Sequence, residues 1–189
     1  MKAICILGSP KTNGNTAAIL KATVNVIENS GIDTKIVCLG ETKIGFCIGC
    51  KVCGETGICV QNDDMNQIIR DIYEADIVML ASPSYWGDVT AQMKQFIDRC
   101  TPYCNTNINR VPVPAGKHGA AIVIHAGQNK KENENLLSTF EHFLGHLDIP
   151  LQFKLTVEGV DKKEDLESRP AEFERARAFG QEIAEYLIG

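Results

Sequence analysis

The chain of 189 residues carries a formal net charge of −5 and no basic cluster, which excludes nucleic acid and anionic membrane as expected partners. With 44% hydrophobic and 23% charged residues it can bury one sizeable core, and no apolar run is long enough to span a bilayer. The N-terminus shows no secretory apolar segment, so a cytoplasmic setting is expected, where eight cysteines suit metal or redox chemistry better than a disulfide framework.

Residues 3–7 (Ala-Ile-Cys-Ile-Leu) form an unbroken apolar run, predicting a strand buried on both faces of a parallel sheet. It stops at Gly8-Ser9-Pro10-Lys11-Thr12-Asn13-Gly14-Asn15-Thr16, a turn-rich segment dense in hydroxyls and amides. Ala17, Leu20, Val24 and Ile27 then share one helical stripe. A strand, a small-residue loop and a helix opening at that loop make an anion cradle, because the free first-turn amides and the positive helix end point into the loop. Two phosphate motifs fail here. Asn15 stands where a P-loop needs lysine, and Pro10 replaces the second glycine of G-x-G-x-x-G. Ser9, Thr12, Asn13, Asn15 and Thr16 offer neutral donors, which suit a single terminal phosphate such as that of flavin mononucleotide (FMN). The alternative is an ordinary capped helix start.

Residues 34–39 read as a second strand, and 40–62 follow neither helical nor strand period. Asp63 and Asp64 open a helix with the stripe Met65, Ile68, Ile69 and Ile72, the two acids sitting near its positive end. A third strand is predicted at 77–81, a loop at 82–88, and a helix through Met93, Phe96, Ile97 and Cys100. An irregular stretch, 105–116, leads to a fourth strand at 120–125, a helix near 136–147, a fifth strand at 152–157 and a closing helix near 170–187. This alternation predicts one α/β domain over 1–189, a five-stranded parallel sheet with helices on both faces. In the flavodoxin strand order 2-1-3-4-5, ligands bind between the ends of the first and third strands. Those ends carry the phosphate-like loop and the segment Pro83-Ser84-Tyr85-Trp86-Gly87-Asp88, whose stiff turn and aromatics could contact a flat flavin ring. The alternative is that both aromatics pack under neighbouring loops. His125 and Gly127 lie on the same rim.

Cys47, Cys50, Cys53 and Cys59 follow the spacing C-x2-C-x2-C-x5-C, with Gly45, Gly49, Gly54 and Gly57 letting the backbone curl and aim amides at sulfur. Three cysteines at two-residue gaps, with a fourth soon after, suit a 4Fe-4S cluster wrapped by one loop. Zinc, or four thiols that bind nothing, are the alternatives. Cys5 and Cys38 read as buried strand residues, while Cys100 with Cys104 and His142 with His146 read as structural or surface pairs.

The chain resembles the iron–sulfur flavoproteins within the NADPH-dependent FMN reductase family. The resemblance rests on Gly8-Ser9-Pro10 with Asn13-Gly14-Asn15-Thr16, on the four-cysteine loop ending in Asp63-Asp64-Met65, and on Pro83-Ser84-Tyr85-Trp86 with Lys94 and Phe96-Ile97-Asp98-Arg99. It implies a flavodoxin-like three-layer fold with a cysteine loop at about 41–62, and a 4Fe-4S cluster on Cys47, Cys50, Cys53 and Cys59. FMN would be held by Ser9, Lys11, Asn13, Asn15, Thr16, Pro83, Ser84, Tyr85, Trp86, Gly87, Asp88, His125 and Gly127. It further implies a homodimer or homotetramer in which one subunit's cluster lies near its neighbour's flavin. The expected activity is electron transfer between cluster and FMN, from a ferredoxin-like donor to a small-molecule acceptor such as a quinone. No acid–base catalytic residue is expected. The alternatives are an NAD(P)H-dependent FMN or quinone reductase with no cluster or with zinc, and a non-enzymatic flavodoxin-type carrier or redox sensor.

Overall fold

The computed structural model describes residues 1–189. In chain order the elements are β1 (Lys2–Leu7), α1 (Asn15–Asn29), β2 (Asp33–Cys38), α2 (Val52–Thr56), α3 (Met65–Glu74), β3 (Ile77–Pro83) and α4 (Ala91–Arg99). After a 3-10 turn at Thr101–Tyr103 come β4 (His118–Ile124), α5 (Lys130–His146), β5 (Leu151–Val157), α6 (Lys163–Glu167) and α7 (Pro170–Ile188). All five strands run parallel in one sheet of order β2-β1-β3-β4-β5, the order expected from the sequence.

Central and edge strands differ for a physical reason. β1, β3 and β4 are buried along nearly their whole length, because helices cover both faces of the sheet. The edge strands β2 and β5 alternate instead, exposing Asp33 and Lys35 on one edge, Gln152 and Lys154 on the other. Successive side chains of β1 therefore feed two cores. Cys5 and Leu7 join Leu20, Val24, Phe179 and Ile183 beneath α1 and α7. Ile4 and Ile6 join Met65, Ile68, Met93, Phe96 and Phe140 beneath α3, α4 and α5. The α1–α7 crossing is close because residue 180 is glycine: a Cβ there would stand 2.4 Å from the Thr23 carbonyl oxygen. No helix is long and apolar enough to cross a membrane.

Three segments depart from the periodicity reading. Residues 40–62 contain the short helix α2, which buries no residue and so leaves no apolar period to read. α5 begins at Lys130, six residues before its first predicted apolar position; its opening turns are polar, and the Asn129 side chain caps them by accepting from the Lys131 amide at 3.1 Å. The short helix α6, after β5, carries no apolar stripe from which to predict it, because it presents one buried residue, Leu166. His125 lies just beyond β4, its amide donating to the Val157 carbonyl at 3.0 Å.

Candidate functional site

A cleft of about 650 Å³ opens at the carboxyl ends of β1, β3, β4 and β5, a size common for small-molecule sites. Its floor and one wall come from Ser9, Lys11, Asn13, Gly14, Asn15 and Thr16 at the mouth of α1. Gly14 is the N-cap and contributes no side-chain bond, so no side chain caps the first-turn amides of this helix. No side chain therefore competes with an anion for those amides. Ser9 and Thr16 are buried, and the Ser9 hydroxyl oxygen accepts from the Lys11 amide at 3.1 Å. Asn15 has a second task. Its Nδ2 donates to the Lys162 carbonyl at 3.0 Å, tying α1 to the loop after β5. That loop supplies Val160, Asp161, Lys162 and Lys163 to the cleft. With Lys11 they place three cations around a cradle that suits phosphate.

The opposite wall comes from Pro83, Ser84 and Tyr85 and from Ile124, His125 and Ala126. The loop is fixed from below: the Ser84 amide donates to the Ile124 carbonyl at 2.7 Å, and the Ser84 hydroxyl to Glu132 at 2.9 Å. His125 is buried, yet neither ring nitrogen has a hydrogen-bond partner. Glu132 stands 3.5 Å from its Nδ1 without completing a bond. A buried imidazole with both nitrogens free, in a cleft beside a cradle of amides, fits a polar ligand carrying a phosphate and a heteroaromatic ring.

Trp86, Gly87, Asp88 and Gly127 do not line this cleft. Tyr85 and Asp88 pair across a two-residue hairpin whose tip is Trp86 and Gly87, at φ of 58° and 77°. Both tip residues are left-handed, as a tight hairpin of this hand requires, and the tryptophan ring is fully exposed. Neither a packed nor a cleft-lining Trp86 is found.

The cysteine loop leaves the carboxyl end of the edge strand β2. Cys47, Cys50, Cys53 and Cys59 line one small cleft with Gln61, Asp98, Arg99 and Thr101. Burial pushes the Cys53 thiol up, and the neighbouring Cys59, Cys50 and Cys47 push it further. The loop turns at Gly49, Lys51 and Gly57, all with positive φ. It is braced from outside by Asn107 and Asn109, whose side chains donate to the Cys53 and Gly54 carbonyls at 3.0 and 2.9 Å. No three His, Cys, Asp or Glu side chains are drawn together tightly enough to hold one metal ion. Four thiols that border one cleft are a donor set that fits an iron–sulfur cluster.

Beneath the loop lies a pair that the sequence reading missed. Arg99, 1% exposed, donates from Nη1 to Asp63 at 2.6 Å and to the Gly45 carbonyl at 2.8 Å, and from Nη2 to Asp63 at 3.1 Å. Burial raises the Asp63 carboxyl, but Arg99 and the amides of Gly45 and Met65 outweigh it and hold the group below its ordinary range. Asp63 was read as a helix-start acid, and it is one, accepting from the Met65 amide at 3.1 Å. Its partner, 36 residues away, is invisible to any local pattern.

The remaining candidates gather elsewhere. Cys104 and His146 stand 3.4 Å apart, and the rings of His142 and His146 meet edge-on at 4.5 Å, in a cleft of about 580 Å³ lined by α4, α5 and the 3-10 turn between β3 and β4. None of these residues belongs to the strand-end cleft. Cys5 is buried, which pushes its thiol up to about 12, as a strand thiol in a core should behave.

The model of the NADPH-dependent FMN reductase family matches residues 1–156. An iron–sulfur flavoprotein of Methanocaldococcus jannaschii is 35% identical over 147 residues, 77% of this chain and 73% of that protein. The chain belongs to the iron–sulfur flavoproteins of the NADPH-dependent FMN reductase family. Another member, an iron–sulfur flavoprotein of Archaeoglobus fulgidus, is 46% identical over 132 residues, 70% of this chain; the match spans 58% of that relative's length. Among solved structures, the NAD(P)H:quinone oxidoreductase from Methanothermobacter marburgensis superposes with a TM-score of 0.73 at 14% identity, covering 97% of this chain and 96% of that one. At that identity the likeness speaks for the fold, and the family rests on the matches in sequence.

Proposed function

We propose that residues 1–189 act as one flavodoxin-like domain and an oxidoreductase that passes electrons between FMN in the strand-end cleft and a 4Fe-4S cluster on Cys47, Cys50, Cys53 and Cys59. When bound, the cluster exchanges single electrons and the flavin one or two, which joins one-electron donors to two-electron acceptors. The chain's own residues have simpler tasks. The α1 amides, Ser9, Thr16 and Lys11 bind the phosphate; Pro83, Ser84, Tyr85 and His125 border the ring; the cysteine loop supplies four thiolates. The observation that carries the reading is the pairing, in one small chain, of a cleft with a buried unpaired imidazole and a separate cleft bounded by four thiols.

A ferredoxin-like donor and a small oxidant such as a quinone are the partners this chemistry implies. Assembly as a homodimer or homotetramer is supported by an apolar surface around the cysteine loop, where Phe46, Ile48, Ile58, Val60 and Ile108 are all exposed. One observation favours the rival reading, an NAD(P)H-dependent FMN or quinone reductase with the cysteines idle or holding zinc. The strand-end cleft is complete without any residue of the cysteine loop.

The deciding experiment is the absorption spectrum of anaerobically purified protein, with FMN, iron, sulfide and zinc assays on the wild type and on Cys50→Ser. The expected result is FMN with four irons and four sulfides in the wild type, and flavin without iron in the variant, which loses ferredoxin-linked activity. Stoichiometric zinc with no iron, or full ferredoxin-linked activity in an iron-free Cys50→Ser protein, would overturn the cluster role.

A further inference from the structure

Arg99 ends α4 and is the largest fully buried side chain of the molecule. Asp63 and the Gly45 carbonyl engage its Nη atoms, but the Nε–H has no partner at all. A buried donor left unmatched costs on the order of 1–3 kcal/mol, so such a group is rarely retained without a use. Replacing a buried ion pair with apolar side chains is often neutral or stabilising, so packing alone does not explain a buried guanidinium here. The cleft that Arg99 lines is the cleft of the four thiols.

We propose that Arg99 is a positioning residue for the cysteine-loop cluster, donating its free Nε–H to a cluster sulfur and biasing the bound cluster toward its reduced state. The inference rests on the cluster reading above. Reduction adds one electron to the thiolate-bound core and neither makes nor breaks a bond. The added negative charge is stabilised by a fixed cation and an N–H donor at sulfur, in a place that water screens poorly. Asp63 acts with the opposite sign, since its carboxylate partly neutralises the cation it holds. A purely structural role for the pair would not give its two members opposite effects on a potential.

The test uses the full chain, reconstituted anaerobically with iron and sulfide, in wild-type, Arg99→Met, Arg99→Lys, Asp63→Asn and Asp63→Asn/Arg99→Met forms. Iron and sulfide content are assayed, and the cluster midpoint is read by electron paramagnetic resonance in a mediator titration, with the FMN midpoint as internal reference. In Arg99→Met the cluster midpoint should fall by the equivalent of about tenfold in its one-electron equilibrium constant, roughly 59 mV. Arg99→Lys, which keeps the charge, should recover most of that shift. Asp63→Asn should move the midpoint upward, and the FMN midpoint should hold throughout. If Arg99→Met does not fold, the double variant, which buries no unpaired charge, is compared with Asp63→Asn and should lie below it. A wild-type protein with a full cluster whose variants share its midpoint would overturn the role of Arg99 and leave the cluster reading standing. A wild type that holds no iron or sulfide after reconstitution would overturn both.

Discussion

The strand-end cleft and the cysteine loop sit at the same end of the sheet but are held by different means. The cleft is made of backbone that the sheet itself fixes. Gly8 donates to the Ala81 carbonyl at 2.8 Å, Ser84 to Ile124 at 2.7 Å, and Val160 to His125 at 3.1 Å, so each wall extends a strand ladder. Its buried polar residues, Ser9, Thr16 and His125, are set before any ligand arrives. The cysteine loop has no ladder. Cys47 and Cys50 are exposed, Phe46 and Ile48 face solvent, and the loop is held by side chains: buried Arg99 beneath, Gln61 and Gln95 on the Phe46 and Ile44 carbonyls, and two asparagines outside. A preformed cradle needs little from its ligand to exist, whereas a loop of this kind gains its closure from what its thiols bind.

That contrast can be broken most forcefully at Gly57. Its φ is +72°, and a Cβ would lie 2.1 Å from the Asn109 carbonyl oxygen, so Gly57→Ala must push the loop off its brace. A strained position of this kind costs about 1–3 kcal/mol. Iron should leave the variant roughly tenfold faster under chelator challenge, tenfold being about 1.4 kcal/mol. FMN affinity, measured by fluorescence titration, should not change. Equal iron loss from variant and wild type would mean that the brace does not hold the loop.

The cleft is probed from the other side by Thr16→Ala. Losing one hydrogen bond to a charged phosphate should weaken FMN binding by about 1–3 kcal/mol, while iron content and helical circular dichroism persist. Unchanged FMN affinity in the Ser9→Ala/Thr16→Ala protein would place the phosphate elsewhere.

The mildest probe is pH. Because the folded Asp63 carboxyl lies below its ordinary value of 3.8, its contribution to holding the loop is complete above that value and is lost as pH falls through the lower folded value. The Gly45 amide, which donates to Asp63 at 2.9 Å, should report this as a nuclear magnetic resonance titration with a midpoint below 3.8. A Gly45 midpoint at or above 3.8 would show that Arg99 does not hold the carboxylate charged.

Much of this arrangement was legible in the chain because its cause is local. The buried central strands β1, β3 and β4 announce themselves as apolar runs, since both their faces are covered, and the stripes of α1 and α3 recur at helical spacing for the same reason. Gly8 to Thr16 and the four cysteines were readable because turn chemistry and ligand spacing act within a few residues. Only the tertiary structure decided the rest. It brought Val160 to Lys163 to the mouth of α1, put Asn107 and Asn109 against the cysteine loop, turned Trp86 out to solvent on a hairpin tip and joined Asp63 to Arg99. Apart from the local turn at Trp86, those contacts link segments far apart in the chain through single side chains. They leave no period or spacing behind, and the burial that makes Arg99 consequential exists only once the sheet and its helices have packed.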